Sequence, residues 1–383
     1  MPPPHFTSAE FALRQRRACA ALAEAGLDAI LLFAPESHYW LTGYDTFGFA
    51  MFQCMVLAAD GRIALLTRAP DLRQAQHTSI LGEDHIHIWP EFDGADPSRD
   101  LIGRLSEMDL LGSRIGWETQ TAGLTAWWGQ RMSAALPDLV EASEVIRACR
   151  RVKSAAEIAM HRRAAALSDD ALDAALATAH PGAFEGDILA AMQGVVFQGG
   201  GDYAGNEFIL GSGEGALLCR YYSGRRHLSA QDQLTLEWSG AYARYHAAMM
   251  RTLIIGTPSE RQKRMHAATV EALEACEAAI RPGAPMGDVF EAHARVFDAH
   301  GFAHARLQAC GYGMGAVYTP IWVDFPMFYE GNPLPMQAGQ VFFLHMILMD
   351  SDAGLAMCNG HSVLVTEAGV ERLSRSSLEL HCV

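Results

Sequence analysis

The apolar positions of this chain follow two different periods, and the balance between them changes near residue 150. Residues 8–26 carry apolar side chains at helical spacing and stop at Gly26, after which 29–33 (AILLF) form a short apolar run of β type. Two further apolar runs in 52–67 flank Ala59-Asp60-Gly61, where glycine supplies the positive φ that a hairpin turn needs. The alternation in 85–89 (HIHIW) predicts another strand, and Ile115-Gly116-Trp117 a later one. This order predicts an independent α/β lobe of ordinary domain size over residues 1–148.

From Ser154 the helices lengthen. Residues 154–179 keep one apolar face and stop at Pro181-Gly182, while 259–281 carry Val270, Leu273, Cys276 and Ile280 at helical spacing, and 286–300 end at Gly301. Segments of β type lie at 206–211, 233–238, 244–256, 341–349 and 361–366. Strands covered by long helices predict a second domain, of α+β class, over 149–383. The order of helices and sheet suggests an internal pseudo-repeat, without sequence self-similarity to match it.

Composition narrows the partners. With 29 Lys and Arg against 44 Asp and Glu, the net charge of −15 opposes nucleic-acid backbones and anionic membranes, so neither is an expected partner. The basic run Arg14-Gln15-Arg16-Arg17 is expected to be the solvated face of the first helix. Eight cysteines are scattered with no Cys-x-x-Cys spacing, which favours free thiols in a reducing cytoplasm. The start has no secretory-signal pattern and no apolar run reaches the roughly 18 residues that span a bilayer, so a soluble cytoplasmic protein is expected.

Four segments then carry a resemblance. They are Gly26–Leu32 with Pro35–Tyr44, Arg147 with Arg151–Glu157, Gln231–Ala241 running on to Met250-Arg251-Thr252, and Gly311-Tyr312-Gly313-Met314-Gly315 with Val363–Glu367. On these segments the chain resembles the pita-bread family of creatinase, prolidase, aminopeptidase P and ectoine hydrolase. The resemblance implies an N-terminal creatinase-like α/β domain followed by a C-terminal pita-bread catalytic domain. It also implies a homodimer in which the aromatic run Tyr44, Phe47, Phe49 and Phe52, with Gln53, approaches the partner's cleft.

In the metallopeptidase members, the resemblance implies, two aspartates, a histidine and two glutamates hold two divalent ions. The matching positions here are Glu237, Ala248, Tyr312, His345 and either Gly360 or Cys358. At most one carboxylate survives, whereas a pair of hard, water-activating cations needs several. No metal and no other cofactor is therefore expected. A remnant one-metal set of Glu237, His345 and His361 is the alternative, opposed by strand alternation, which turns His361 away unless a bulge intervenes.

Creatinase and ectoine hydrolase, as the resemblance implies, hydrolyse C–N bonds on this fold without that centre. The run Glu237–His246 with Arg251-Thr252, and Tyr312 between glycines, look more like ectoine hydrolase than like the peptidases. Arg220 stands where creatinase-like members keep a catalytic histidine; a guanidinium cannot act as a base but suits a substrate carboxylate. The expected catalytic set is Glu237 as nucleophile or general base, His345 as proton carrier and Tyr312 as donor to a developing oxyanion. Arg220, Tyr222, His246, Trp322, Asp324 and His361 are the expected substrate-binding residues, with the aromatic stretch 318–329 suited to a cationic head. The expected activity is metal-independent hydrolysis of a C–N bond in a small zwitterionic nitrogen compound. A metallopeptidase relative and a non-catalytic binding homologue are the alternatives, and convergence of Glu237, His345 and Arg220 is the feature that separates enzyme from binder.

Overall fold

The structure is a computed structural model, and it describes residues 5–220 and 224–383. The chain divides into two compact units, Met1–Arg150 and Arg151–Val383. In chain order the first contains α1 (Ser8–Glu24), β1 (Ala29–Leu32), α2 (Pro35–Thr42), β2 (Cys54–Ala58), β3 (Ile63–Thr67), α3 (Leu72–Thr78), β4 (Ile86–Ile88), α4 (Pro97–Glu107), β5 (Ile115–Trp117), α5 (Ala126–Ala135), β6 (Val140–Glu141) and the start of α6 (Ser143–Arg151). Its sheet runs β4-β3-β2-β1-β5-β6, with an apolar layer on each face.

The Thr7 hydroxyl accepts the Glu10 amide and starts α1. Arg14 does not lie on a solvated face as expected. It is buried, donates to the Trp40 carbonyl and stacks 4.1 Å over the Phe6 ring, because α2 covers that side of α1. Glu118, just past β5, accepts the amides of Phe33 and Ala34 and the Ser37 hydroxyl, and so fixes the start of α2. Of the aromatic run, Tyr44, Phe49, Phe52 and Gln53 are buried within this unit and Phe47 is 86% exposed.

The second unit contains α7 (Ala155–Thr178), α8 (Glu185–Gln198), β7 (Ile209–Ser212), β8 (Asp232–Tyr242), β9 (Tyr245–Ile255), α9 (Glu260–Ala279), α10 (Met286–Ala299), β10 (Ala309–Gly313), β11 (Asp324–Tyr329), β12 (Val341–Asp350), β13 (Leu355–Thr366) and β14 (Gly369–Arg372). One sheet runs β11-β10-β12-β13-β9-β8-β7, with β14 added to β13. Helices cover one face: the Trp238 indole donates to the Ser168 carbonyl of α7, and Asn359 donates to Thr269 of α9.

Residues directly paired across antiparallel strands project on the same side of a sheet. The register Ile209–Glu237–Met250–Gly360–His345 is therefore one row, on the face away from those helices. Tyr312 pairs with Phe343, two residues before His345, and belongs to the same face. Among the described residues no helix is long and apolar enough to cross a membrane.

Candidate active site

Glu237 lies in the middle of β8, where Leu236 and Trp238 face the helix layer and leave the carboxylate on the open side. Tyr312 reaches it from β10 and hydrogen bonds to the carboxylate. Between β8 and β10 lie β9, β13 and β12, so four spacings of about 4.8 Å would put the two backbones roughly 19 Å apart on a flat sheet. Two side chains cannot bridge that. The sheet curls around this face, and the curl makes the cleft.

Burial in an apolar wall pushes the Glu237 carboxyl up from its ordinary range to about 7, against the Arg220 charge and the Tyr312 hydrogen bond, which both favour the ionised form. The same burial, with the carboxylate beside it, raises the Tyr312 phenol well above its usual value. The Tyr312 oxygen accepts the Trp322 indole N–H at 2.8 Å. His345 completes the group. Its ring lies 5.6 Å from that of Tyr312 and 5.5 Å from that of Phe343, and its Nδ1 is buried with no hydrogen-bond partner among the described residues. Desolvation holds His345 neutral by lowering its pKa to about 4. A buried imidazole nitrogen without a partner invites a polar group from a ligand.

Arg220 is exposed at the rim, close enough to favour the Glu237 carboxylate and to disfavour charge on His345. It lines a cavity of about 220 Å³ with Asn206, Glu207, Ile209, Pro320 and Ile321, and Ile209 is the direct neighbour of Glu237 in the row. Cys219 and Cys358 flank the carboxylate, their thiols pushed up by burial.

The other expected residues separate from this group. Tyr222 lies outside the described residues. His246 uses both ring nitrogens on the backbone, at Arg244 and Gly205, which leaves none for a substrate. Asp324 is buried at the start of β11 with its carboxylate against Gly315. Trp322 serves as a donor to Tyr312 and is only 2% exposed, so it does not form an open aromatic face for a cation. His361 points to the opposite face, where its Nε2 meets Glu277 of α9 at 2.6 Å, and no bulge interrupts β12–β13 pairing to turn it back. A site combining Glu237, His345 and His361 is therefore not formed. Phe343 and Asn206 belong to the cleft and its rim but carry no chemical signal in sequence, since an apolar strand residue and a loop amide are common everywhere.

A dinuclear metal centre does not fit these donors. In the row beside Glu237 stand Met250 and Gly360, and Ala248, at the position where the resemblance implies a second aspartate, has no atom to coordinate an ion. A Cβ on Gly360, one of the two positions the resemblance offers for a last ligand, would lie 2.5 Å from the Leu344 carbonyl and 3.0 Å from the Phe343 ring, and the other, Cys358, is a thiol whose ionisation burial opposes. Among the described residues no three His, Cys, Asp or Glu side chains are grouped to hold a metal ion. The Arg220 charge next to Glu237 also opposes a divalent cation.

Residues 159–367 match the metallopeptidase family M24, and residues 14–152 match the creatinase/prolidase N-terminal domain. The chain belongs to family M24, and it is a hydrolase of that family with the pita-bread fold. It is 26% identical over 388 residues to the ectoine hydrolase of Halomonas elongata, covering 96% of each chain. It is also 21% identical over 237 residues to the Xaa-Pro dipeptidase of Pyrococcus furiosus, covering 62% of this chain and 67% of that one. The crystal structure of the dipeptidase PepE from Mycobacterium ulcerans superposes with a TM-score of 0.85 at 25% identity, over 99% of both chains.

Proposed function

We propose that this chain hydrolyses a C–N bond in a small zwitterionic nitrogen compound, without a dinuclear metal centre. The observation that carries this reading is Glu237, a carboxyl held near pH 7 in an apolar wall, beside Tyr312 and facing the same cleft as His345. A carboxyl with its pKa near the working pH can take a proton from water and return it within one turnover. Glu237 removes a proton from the attacking water, whose oxygen bonds to the carbon of the C–N bond. The same proton passes to the nitrogen as that bond breaks. Neutral His345 offers Nδ1 to a polar group of the substrate, and Arg220 binds its carboxylate from the rim through two parallel hydrogen bonds.

The whole-length similarity to an ectoine hydrolase supports a small zwitterion as the substrate class. The dipeptidase relatives support a peptide, yet among the described residues no His, Cys, Asp or Glu side chains are grouped as a two-metal peptidase mechanism needs. Ectoine, creatine, betaines and proline dipeptides should be screened by thermal shift, because a ligand that binds only the folded state raises the melting temperature. One zwitterion is expected to do so and to be turned over in the presence of a chelator. Turnover of proline dipeptides alone, and only after loading with divalent ions, overturns the reading.

A further inference from the structure

The cleft wall that carries Trp322 has no regular structure of its own, since 314–323 lies between β10 and β11. What holds it begins at His246. The Gly205 amide can only donate, so the His246 Nε2 that it meets at 2.9 Å is the bare nitrogen. Nδ1 therefore carries the hydrogen, donated to the Arg244 carbonyl at 2.8 Å. The imidazole is fully buried and fixed in one tautomer by backbone on both sides.

From Gly205 the connection continues through close backbone contact. A Cβ at Gly205 would lie 2.9 Å from the Ile321 carbonyl and 3.0 Å from the Trp322 amide nitrogen, so only glycine lets the two segments touch. The next residue, Asn206, accepts the Trp322 amide through its side chain at 3.2 Å. Trp322 then donates its indole N–H to Tyr312. A phenol has one hydrogen, and with its oxygen accepting from Trp322 that hydrogen is directed to Glu237.

The β8–β9 turn beneath His246 is strained. Ala243 and Arg244 have φ of 50° and 65°, a left-handed pair that costs about 1–2 kcal/mol per residue without glycine. Asp202 accepts the Arg244 amide and His246 grips the Arg244 carbonyl, so the strain is held in place by the same loop.

We propose that His246 is a positioning residue whose buried imidazole, acting through the 202–206 loop and Trp322, aims the Tyr312 hydroxyl at Glu237, a role that rests on Glu237 being the reacting carboxylate. The test follows the Trp322 indole N–H by NMR in protein labelled with ¹⁵N-tryptophan. The chain has seven tryptophans, and Trp322→Phe identifies the resonance by its loss. The resonance is expected to exchange slowly with solvent and to titrate with a midpoint near pH 7 that Glu237→Gln abolishes.

In His246→Leu, which cannot accept the Gly205 amide, exchange should quicken at least tenfold. The midpoint should rise, because a lost hydrogen bond to the carboxylate disfavours its charged form. His246→Gln, which can accept again, should restore both. An unmoved resonance in His246→Leu, or a Gln variant no better than Leu, overturns the proposal. Should His246→Leu fail to fold, Asn206→Leu cuts the same path at its middle, and an unmoved resonance there overturns it equally. Because this signal needs no substrate, the brace can fail while Glu237 remains the reacting carboxylate. A screen without turnover, in turn, fails that assignment and leaves the brace standing.

Discussion

Glu237 is the residue whose environment most directly expresses a function, because Arg220 and Tyr312 compensate its burial only in part. The unfolded chain ionises this carboxyl near 4.5 and the folded chain near 7. The folded state thus holds the proton more tightly, so its contribution to stability is full below about pH 4.5 and is lost as pH rises through 7. Glu237→Gln removes that loss. It is expected to raise the melting temperature at pH 8, by an amount worth at most on the order of 3 kcal/mol, with the gain vanishing toward pH 5. Turnover should fall about 10²-fold or more in the same variant. Calorimetry at the two pH values with a parallel rate measurement checks both, and a Gln variant that is less stable at pH 8 contradicts the electrostatic account. Glu237 and His345 were legible in the sequence because polar residues inside apolar strands are conspicuous. Trp322 and His246 were legible only as polar or aromatic residues near the right motif, since the partner of a ring nitrogen or an indole N–H depends on loops far away in sequence.

At the scale of elements, β13 and α9 show the opposite use of a buried acid. Glu277 meets His361 and Arg372, and those partners hold its carboxyl below the usual range against the cost of burial. Glu277→Gln is expected to lower stability by about 1–2 kcal/mol, the lower end for a charge-assisted pair because Arg372 is partly solvated, and to leave turnover in place. Chemical denaturation and a rate assay separate it from Glu237→Gln. Strand alternation opposes a metal role for His361, and the same period of 2 that turns it to this helix face also takes it out of the expected substrate-binding set. Helix α8 was not foreseen: Phe184 provides no side-chain cap, so its start carries no polar signal. Strands β10 and β11 carry weak strand signals, because Gly311 and Gly313 lower propensity in β10 and Pro326 interrupts β11, and pairing of β10 with β12 and of β11 with β10 supplies what they lack.

For the whole molecule, the two-domain plan was visible in the shift of periodicity, but the strand order was not, because it depends on pairings between segments far apart in the chain. Five buried histidines spread over both units are held neutral by desolvation, His38, His246 and His345 near 4 and His161 and His293 near 3. Their folded pKa values are depressed, so the stability they allow is present above about 6.5 and is lost as pH falls toward 4 and the unfolded chain takes up protons. Each adds a slope of up to about 1.4 kcal/mol per pH unit in that window. Acid unfolding is expected to be steep between pH 6.5 and 4, and replacing His293, on α10 against Phe290 and Phe297 and within electrostatic reach of His345, with leucine should make it shallower. A melting temperature flat from pH 7 to 5 would contradict this.

The Phe343 ring over Gly360 bears on the history of such a chain. A glutamate arising at 360 by a single mutation meets the Leu344 carbonyl and the aromatic edge before it can offer an oxygen to anything. Shrinking Phe343 first opens a hole in the packed wall, at a typical cost of about 3–5 kcal/mol for a large-to-small change. Neither order of steps is an easy walk uphill, so the packing of Phe343 on Gly360 acts as an evolutionary ratchet against a side chain there. A lineage carrying this pair is channelled away from placing a second acid beside Glu237.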